Sequence, residues 1–199
     1  MASADGPRKI IAALQISLDG YIEGANGEID WIRSWEDPFD ILPEIDTCIL
    51  GGGMYPGYEA YWGAIMADPA AVSPFTGATA TPGEVDYARF AQGAQHIVLS
   101  RTLKAAAWPN TRFIRDAEEI RALKHQPGKT IHAVGGASLV ASLINFGLVD
   151  ELRVVVQPIL LGAGKALFGD VMGRHSLTLG EVMAIGDGTV RLTYGVGTG

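Results

Sequence analysis

Three times along this chain an apolar, largely β-branched run ends in a cluster of glycines. Asp46 to Leu50 runs into Gly51-Gly52-Gly53, Thr130 to Val134 into Gly135-Gly136, and Glu151 to Ile159 into Leu161-Gly162-Ala163-Gly164. Runs of this length and composition read as buried strands. The first two clusters stand directly before segments with helical character, Tyr55 to Met66 and Ser138 to Phe146. Strand, glycine turn and helix in that order build open α/β sheets, whose ligands bind beyond the carboxyl ends of the strands. Helix N-termini offer free N–H groups to phosphate there, and glycine lets the backbone come close. Sharp strand-to-helix turns with no ligand would look the same, so the clusters alone leave both readings open.

The rest of the chain fits the same plan. Lys9 to Ile16 reads as a first strand, ending at the turn Ser17-Leu18-Asp19-Gly20, in which Asp19 is a turn residue. His96 to Ser100 and Thr111 to Ile114 are further strands. Glu84 to Ala91 and Asp116 to His125 are helices, the second with Asp116 as N-cap and Glu119 completing a capping box. Gly147 is the stop after the helix that ends at Phe146. Part of Asp30 to Leu42, around Pro38, is expected to be helical. Leu177 to Ile185 and Thr189 to Val196 form a hairpin across Gly186-Asp187-Gly188. The expected fold is α/β: a mixed sheet, mostly parallel with an antiparallel C-terminal edge, flanked by helices. It is expected as a single domain over 1–199, with a flexible start at 1–8 and a loop insertion at 68–82, either a lid or a disordered insertion.

Composition removes several classes of function. Glycine numbers 26 of 199 residues, roughly twice the usual ~7%, while 48% hydrophobic residues exclude general disorder. The net charge of −7 argues against nucleic acid or an anionic membrane surface as partner. Cys48 is the one cysteine, which excludes an intrachain disulfide and a cysteine-rich zinc site. The histidines, His96, His125, His132 and His175, show no ligand spacing, so no metal is expected. No run approaches the ~20 apolar residues of a membrane span, and Met1 to Lys9 has no long apolar stretch. A cytoplasmic protein acting on a small molecule is expected. Gly162-Ala163-Gly164-Lys165-Ala166-Leu167 begins like a dinucleotide fingerprint but lacks the last glycine, and no Walker A or Gly-x-Ser-x-Gly pattern occurs.

Four segments together resemble the dihydrofolate reductase-like superfamily, in the branch of the C-terminal reductase domain of riboflavin biosynthesis. They are Ile11 to Leu14 with Ser17 to Ile22 and Trp31-Ile32; Gly51 to Tyr55; Val98 to Leu103; and the C-terminal set Gly135 to Leu139, Gly147 to Leu152 and Pro158 to Gly164. The resemblance spans about Lys9 to Gly195. It implies hydride transfer from a nicotinamide cofactor, NADPH with NADH not excluded. By position it puts Ala13 and Ile22 beside the nicotinamide and Trp31 on a mobile loop near it. Gly51 and Gly52 fall in its second-strand cofactor segment; Gly135, Gly136, Ala137, Ser138 and Leu139 would hold the pyrophosphate. Ser100 and Arg101 would lie near the adenine ribose, where an arginine can fork onto a 2′-phosphate. An acid at Glu36 or Asp37 would position the substrate ring and assist protonation, unless both are exposed acids at a helix start.

The chain departs from the family pattern at informative places. Gly52 stands where the family keeps Arg or Lys, and Met54 where it keeps Thr. Val134 replaces the glutamate that precedes the glycine pair in riboflavin-pathway reductases. A small planar heterocycle, pterin- or pyrimidine-like, is therefore the expected substrate. The ribosylaminopyrimidine of riboflavin biosynthesis and a non-catalytic nucleotide-binding role are the alternatives. Trp31, Trp35, Tyr55, Tyr58, Tyr61 and Trp62 either stack on a planar ring or pack the core or a dimer interface. His96 is expected to be structural. Relatives of the fold are often homodimers.

Overall fold

The computed structural model describes residues 6–32, 35–74 and 76–197. Its strands are β1 (Ile10–Ser17), β2 (Tyr21–Glu23), β3 (Ile45–Gly51), β4 (Gln95–Leu99), β5 (Thr111–Ile114), β6 (Thr130–Gly135), β7 (Glu151–Gln157), β8 (Lys165–Ala166), β9 (Leu177–Gly186) and β10 (Thr189–Val196). The helices are α1 (Tyr55–Ala67), α2 (Pro82–Gly93), α3 (Glu118–Leu123) and α4 (Ala137–Asn145). Eight strands form one sheet in the order β5-β4-β3-β6-β1-β7-β10-β9. β1, β3, β4, β5, β6 and β7 pair in parallel, and β10 and β9 add the antiparallel edge. This is the mixed α/β sheet expected from the sequence.

β1 is buried along its whole length, which is why it reads as a continuous apolar run: both faces of a central parallel strand are covered. On one face Ile10, Ala12, Ile131 and Ala133 pack with Leu139, Val140 and Leu143 of α4 and Ile120 of α3. On the other, Cys48, Leu50 and Val98 lie under Tyr58 and Trp62 of α1 and Tyr87 of α2. Ile11 and Ala13 continue that second face under Phe39 and Ile41. Helix α4 ends where expected: Gly147 takes φ +64°, and Leu148 N–H closes on Leu143 O at 2.9 Å.

Three expectations need correction. The described part of 30–42 holds no helix; the nearest helical turn is the 3-10 turn Leu42–Glu44. Pro38 lacks a donor, and the Asp37 carboxylate instead gathers the N–H groups of Phe39 (3.2 Å), Ile41 (2.7 Å) and Leu42 (2.8 Å) into a turn. Arg153 holds that turn on the sheet through Phe39 O and Asp40 O at 3.2 and 3.0 Å. Asp116 is not the N-cap of α3; Ala117 is, and the Asp116 carboxylate accepts from Glu118 N at 2.9 Å just ahead of it. The expected flexible start does not extend to residue 8. The Arg8 guanidinium is buried and donates to Lys129 O, the Asp46 carboxylate and Thr47 Oγ1, while residues 1–5 lie outside the described residues. The segment 68–82 carries turns and an isolated Val72–Thr79 bridge before α2 begins at Pro82.

A second sheet, of β2 and β8, has no counterpart in the sequence reading. Gly164 permits it: its φ is +147°, and a Cβ there would collide with the carbonyl of Glu23. Asp19 fastens the neighbouring turn, accepting from Ser17 Oγ (2.6 Å), Gly162 N (2.7 Å) and Leu161 N (3.2 Å). Among the described residues no helix is long and apolar enough to cross a membrane.

Candidate active-site cleft

β1 and β6 pair only as far as Ala12 and Ala133, and the β3–β6 register slips between Ile49 and Leu50. The central strands therefore part at their carboxyl ends. A cleft of about 670 Å³ opens there, where open α/β sheets place ligands. Ala13, Leu14 and Gln15 of β1 line it, with Ile22 and Glu23 of β2 and the glycines Gly51, Gly52 and Gly53.

At one end stands the N-terminus of α4. Gly135 takes φ +130°, a Cβ on it would come 3.1 Å from Leu14 Cδ2, and its peptide to Gly136 is cis. Gly136 is the N-cap, and the first turn closes on its carbonyl from Leu139 N (3.0 Å) and Val140 N (3.1 Å). The N–H groups of Ala137 and Ser138 precede those bonds and have no carbonyl of the helix to reach. A Cβ on Gly136 would meet nothing within 4 Å, and the residue lines the cleft, as do Ser138 and Leu139. Ser138 Oγ also donates to Asp170 Oδ2 at 3.3 Å.

The other end is aromatic, with Trp35, Phe39, Tyr58, Trp62 and Tyr87 around it. Edge-on contacts between Tyr58 and both Trp62 (6.2 Å) and Tyr87 (6.5 Å) fix these rings against one another. Glu84 fixes the wall to α2: it completes a capping box with Thr81 and accepts from Trp35 N at 3.1 Å and Tyr61 Oη at 3.3 Å. Glu36 lines the same end, and its Oε2 accepts from Thr81 Oγ1 at 3.0 Å.

The expected site residues therefore divide. Ala13, Ile22, Gly51, Gly52, Gly136, Ser138, Leu139 and Glu36 meet in the cleft. Gly135 and Ala137 support it from behind, Ala137, the first residue of α4, being buried in the core. Asp37 does not line it; its carboxylate is occupied by the turn described above. Trp31 does not line it either, and its Nε1 donates to Glu28 O at 3.1 Å. Ser100 is buried beside Gly52, and its Oγ accepts from Leu103 N at 3.1 Å. Arg101 is exposed and has no side-chain partner among the described residues. Of the aromatic set, Trp35, Tyr58 and Trp62 face the cleft, while Tyr55 is a core residue bonded to Glu59 at 2.6 Å.

Phe39, Tyr87 and His132 are site residues that the sequence reading misses, because they converge only through the fold. Glu84 did have a signal: Thr81-Pro82-Gly83-Glu84 is a capping-box pattern. His132, on β6, is buried; its Nε2 donates to Ala13 O at 3.3 Å, and burial pulls its pKa down to about 4. His96 is likewise buried, between Trp108 (5.0 Å) and Tyr58 (5.6 Å), and lies outside the cleft. Among the described residues no three His, Cys, Asp or Glu side chains gather around a metal position.

Similarity to known proteins agrees with this geometry. The uncharacterized protein YyaP of Bacillus subtilis (strain 168) is 37% identical over 191 residues, 94% of each chain. A pyrimidine reductase-like protein of Corynebacterium diphtheriae superposes with a TM-score of 0.65 at 15% identity, covering 96% of this chain and 93% of that one. A dihydrofolate reductase of Enterococcus faecalis, complexed with NADP(H), gives 0.57 at 16% identity over 96% and 97%. The fold is thus dihydrofolate reductase-like. The model of the RibD C-terminal domain matches residues 8–191, and the chain belongs to that family.

Proposed function

We propose that the protein is a nicotinamide-dependent reductase, with NADPH preferred, acting on a small planar heterocycle of pterin or pyrimidine type. The observation that carries this reading is the two-ended cleft: a bare helix N-terminus at Gly136 and an aromatic box at Trp35, Phe39, Tyr58 and Trp62. A pyrophosphate fits the first end. Gly136 presents no side chain, a Cβ would extend into cleft space, and the N–H groups of Ala137 and Ser138 remain available. Family membership and the NADP(H)-bound enzyme of the same fold support the choice of cofactor.

When bound, the cofactor supplies a hydride; the chain supplies position and a dry site. Ala13 and Ile22 would hold the nicotinamide. Arg101, exposed and with no side-chain partner among the described residues, is the cation for a 2′-phosphate. Glu36 is the carboxylate that lines the substrate end, able to hold a proton at its carboxylate oxygens, whereas Asp37 is committed to its turn. Val134 also lines the cleft, an apolar surface where riboflavin-pathway reductases carry a glutamate, which favours a substrate other than the ribosylaminopyrimidine. We further infer a homodimer through the exposed edge of β9.

Thermal unfolding and calorimetry with NADPH and NADH test the reading. NADPH raises the melting temperature, since a ligand of the folded state alone must stabilise it. Gly136→Leu keeps the ligand-free melting temperature and loses NADPH binding. An absence of NADPH binding by the unsubstituted protein overturns the reading.

A further inference from the structure

The cleft that would take a dinucleotide is short of positive charge. Among the described residues that line it, Glu23 and Glu36 are carboxylates and Lys165 is the one lysine or arginine. The N-terminus of α4 offers N–H groups and the equivalent of roughly half a positive charge. A bridging diphosphate is a dianion. Asp170 lowers the balance further, since its carboxylate accepts from Ser138 Oγ at 3.3 Å in the first turn of that helix. Gly52 adds no charge where the wider family keeps Arg or Lys.

Lys165 is held against the cleft by a strap, residues 164–172, that is fastened at both ends. At its start β8 pairs with β2, so that Lys165 lies opposite Glu23, and Leu167 N donates to Gly20 O at 3.0 Å. Leu167 itself is fully buried in the core that includes Leu139 and Leu143 of α4. At its end, Asn145 of α4 donates to Asp170 O at 3.0 Å and accepts from Met172 N at 2.8 Å. The strap thus crosses from β2, whose Ile22 lines the cleft, to α4, whose Ser138 and Ser142 line it, and Lys165 stands on that crossing. Its ammonium is 3.7 Å from Glu23 Oε1, and both side chains are partly exposed. That distance is beyond a hydrogen bond, and an exposed pair of this kind contributes little. The pair keeps the ammonium at the cleft wall without committing it.

Resting on the reductase reading above, we propose that Lys165 is the cation for the cofactor's diphosphate. On binding, its ammonium leaves the Glu23 carboxylate and donates to a diphosphate oxygen, together with the N–H groups of Ala137 and Ser138. Glu23 is then a counter-ion that the ligand displaces. The ligand class is a dinucleotide diphosphate with or without a 2′-phosphate, which separates the role of Lys165 from that of Arg101.

Calorimetry with NADPH, NADH and ADP-ribose, each at low and at high salt, tests this. Lys165→Met keeps most of the aliphatic stem and removes the charge, and because the side chain is half exposed the melting temperature stays unchanged. All three ligands are expected to bind on the order of ten- to a hundred-fold more weakly, as loss of a charge-assisted hydrogen bond implies. Lys165→Arg restores most of that affinity. Added salt weakens binding to the unsubstituted protein more than binding to Lys165→Met, because the screened contact is absent from the variant. Glu23→Gln removes the competing carboxylate and tightens binding of all three. Equal affinities of Lys165→Met and the unsubstituted protein overturn the proposal. A loss confined to NADPH overturns it as well, since it would assign Lys165 to the 2′-phosphate. So does a loss that Lys165→Arg leaves unrepaired and that keeps the salt dependence, the mark of a structural role. Failure of the unsubstituted protein to bind any of the three ligands overturns the reductase reading, and this proposal with it. Binding that Lys165→Met leaves intact removes Lys165 alone.

Discussion

A Cβ on Gly52 would lie 2.5 Å from the Oγ of Ser100 and 2.6 Å from its Cβ. The serine is not free to move aside, since its Oγ accepts from Leu103 N at 3.1 Å and Thr102 N at 3.3 Å. Gly52 is itself tied to the next strand by its N–H on Leu99 O at 3.0 Å. The position that the wider fold family gives to Arg or Lys is therefore closed by its neighbour. Gly52→Ala is expected to cost about 1–3 kcal/mol by overpacking, measured by urea unfolding. Adding Ser100→Gly recovers part of that loss, so the pair is non-additive. Simple additivity would refute the clash as the cause.

With position 52 closed, Arg101 is the cation that the proposed reading assigns to a 2′-phosphate. Its guanidinium is exposed and has no side-chain partner among the described residues, so removing it leaves none of them unsatisfied. Arg101→Ala is expected to weaken NADPH binding on the order of ten- to a hundred-fold and to leave NADH binding and the melting temperature unchanged. Equal losses for both cofactors would assign the 2′-phosphate to another residue.

The main sheet was legible because its strands are short, apolar and bounded by glycine or turn residues; β5 and β10 fall on the residues expected, Thr111–Ile114 and Thr189–Val196. β2 and β8 were not, because three and two residues carry no periodicity. The stretch 30–42 misled because Glu36 and Asp37 look like the acids of a helix start, whereas Asp37 spends its carboxylate on a turn. In the cleft, the glycines at 51–53 and 135–136 announced themselves through local backbone needs. His132, Phe39 and Tyr87 did not, because each belongs to a different element and only tertiary contact brings them together.

Burial pulls the pKa values of His96 and His132 down to about 4, from an ordinary 6.5. Above about pH 6.5 both rings are neutral whether the chain is folded or not. Between about 6.5 and about 4 the unfolded chain takes up protons that the folded one refuses. Stability therefore falls as the pH falls through that window, by up to ~1.4 kcal/mol per pH unit for each ring. Below about 4 the contribution levels off. His96 is the cleaner probe, since its ring is packed between Trp108 and Tyr58 and stands outside the cleft. His96→Phe is expected to flatten the slope of unfolding free energy between pH 6.5 and 4.5 by about one proton's worth. An unchanged slope would mean that the buried ring is already charged when folded.

β9 is exposed along its length and paired on one side only, with β10. Leu179 and Val182 are 54% and 57% exposed, and Leu177, Met183 and Ile185 add to the apolar surface. Edge strands of monomers are usually blunted by charge, proline or a covering element. Here Glu181 is the one charged residue of the strand, and Arg191 Nη2 engages its carboxylate at 3.2 Å. A second copy would bury this edge by antiparallel pairing, the isologous arrangement that closes a two-fold dimer. Light scattering during gel filtration is expected to give a dimer mass for the unsubstituted protein. Val182→Lys and Leu179→Lys should each give a monomer that still binds NADPH, because β9 lies at the sheet edge, three strands from the parted ends of β1 and β6. A monomer mass for the unsubstituted protein, or dimers that survive both substitutions, would place the contact elsewhere or remove it.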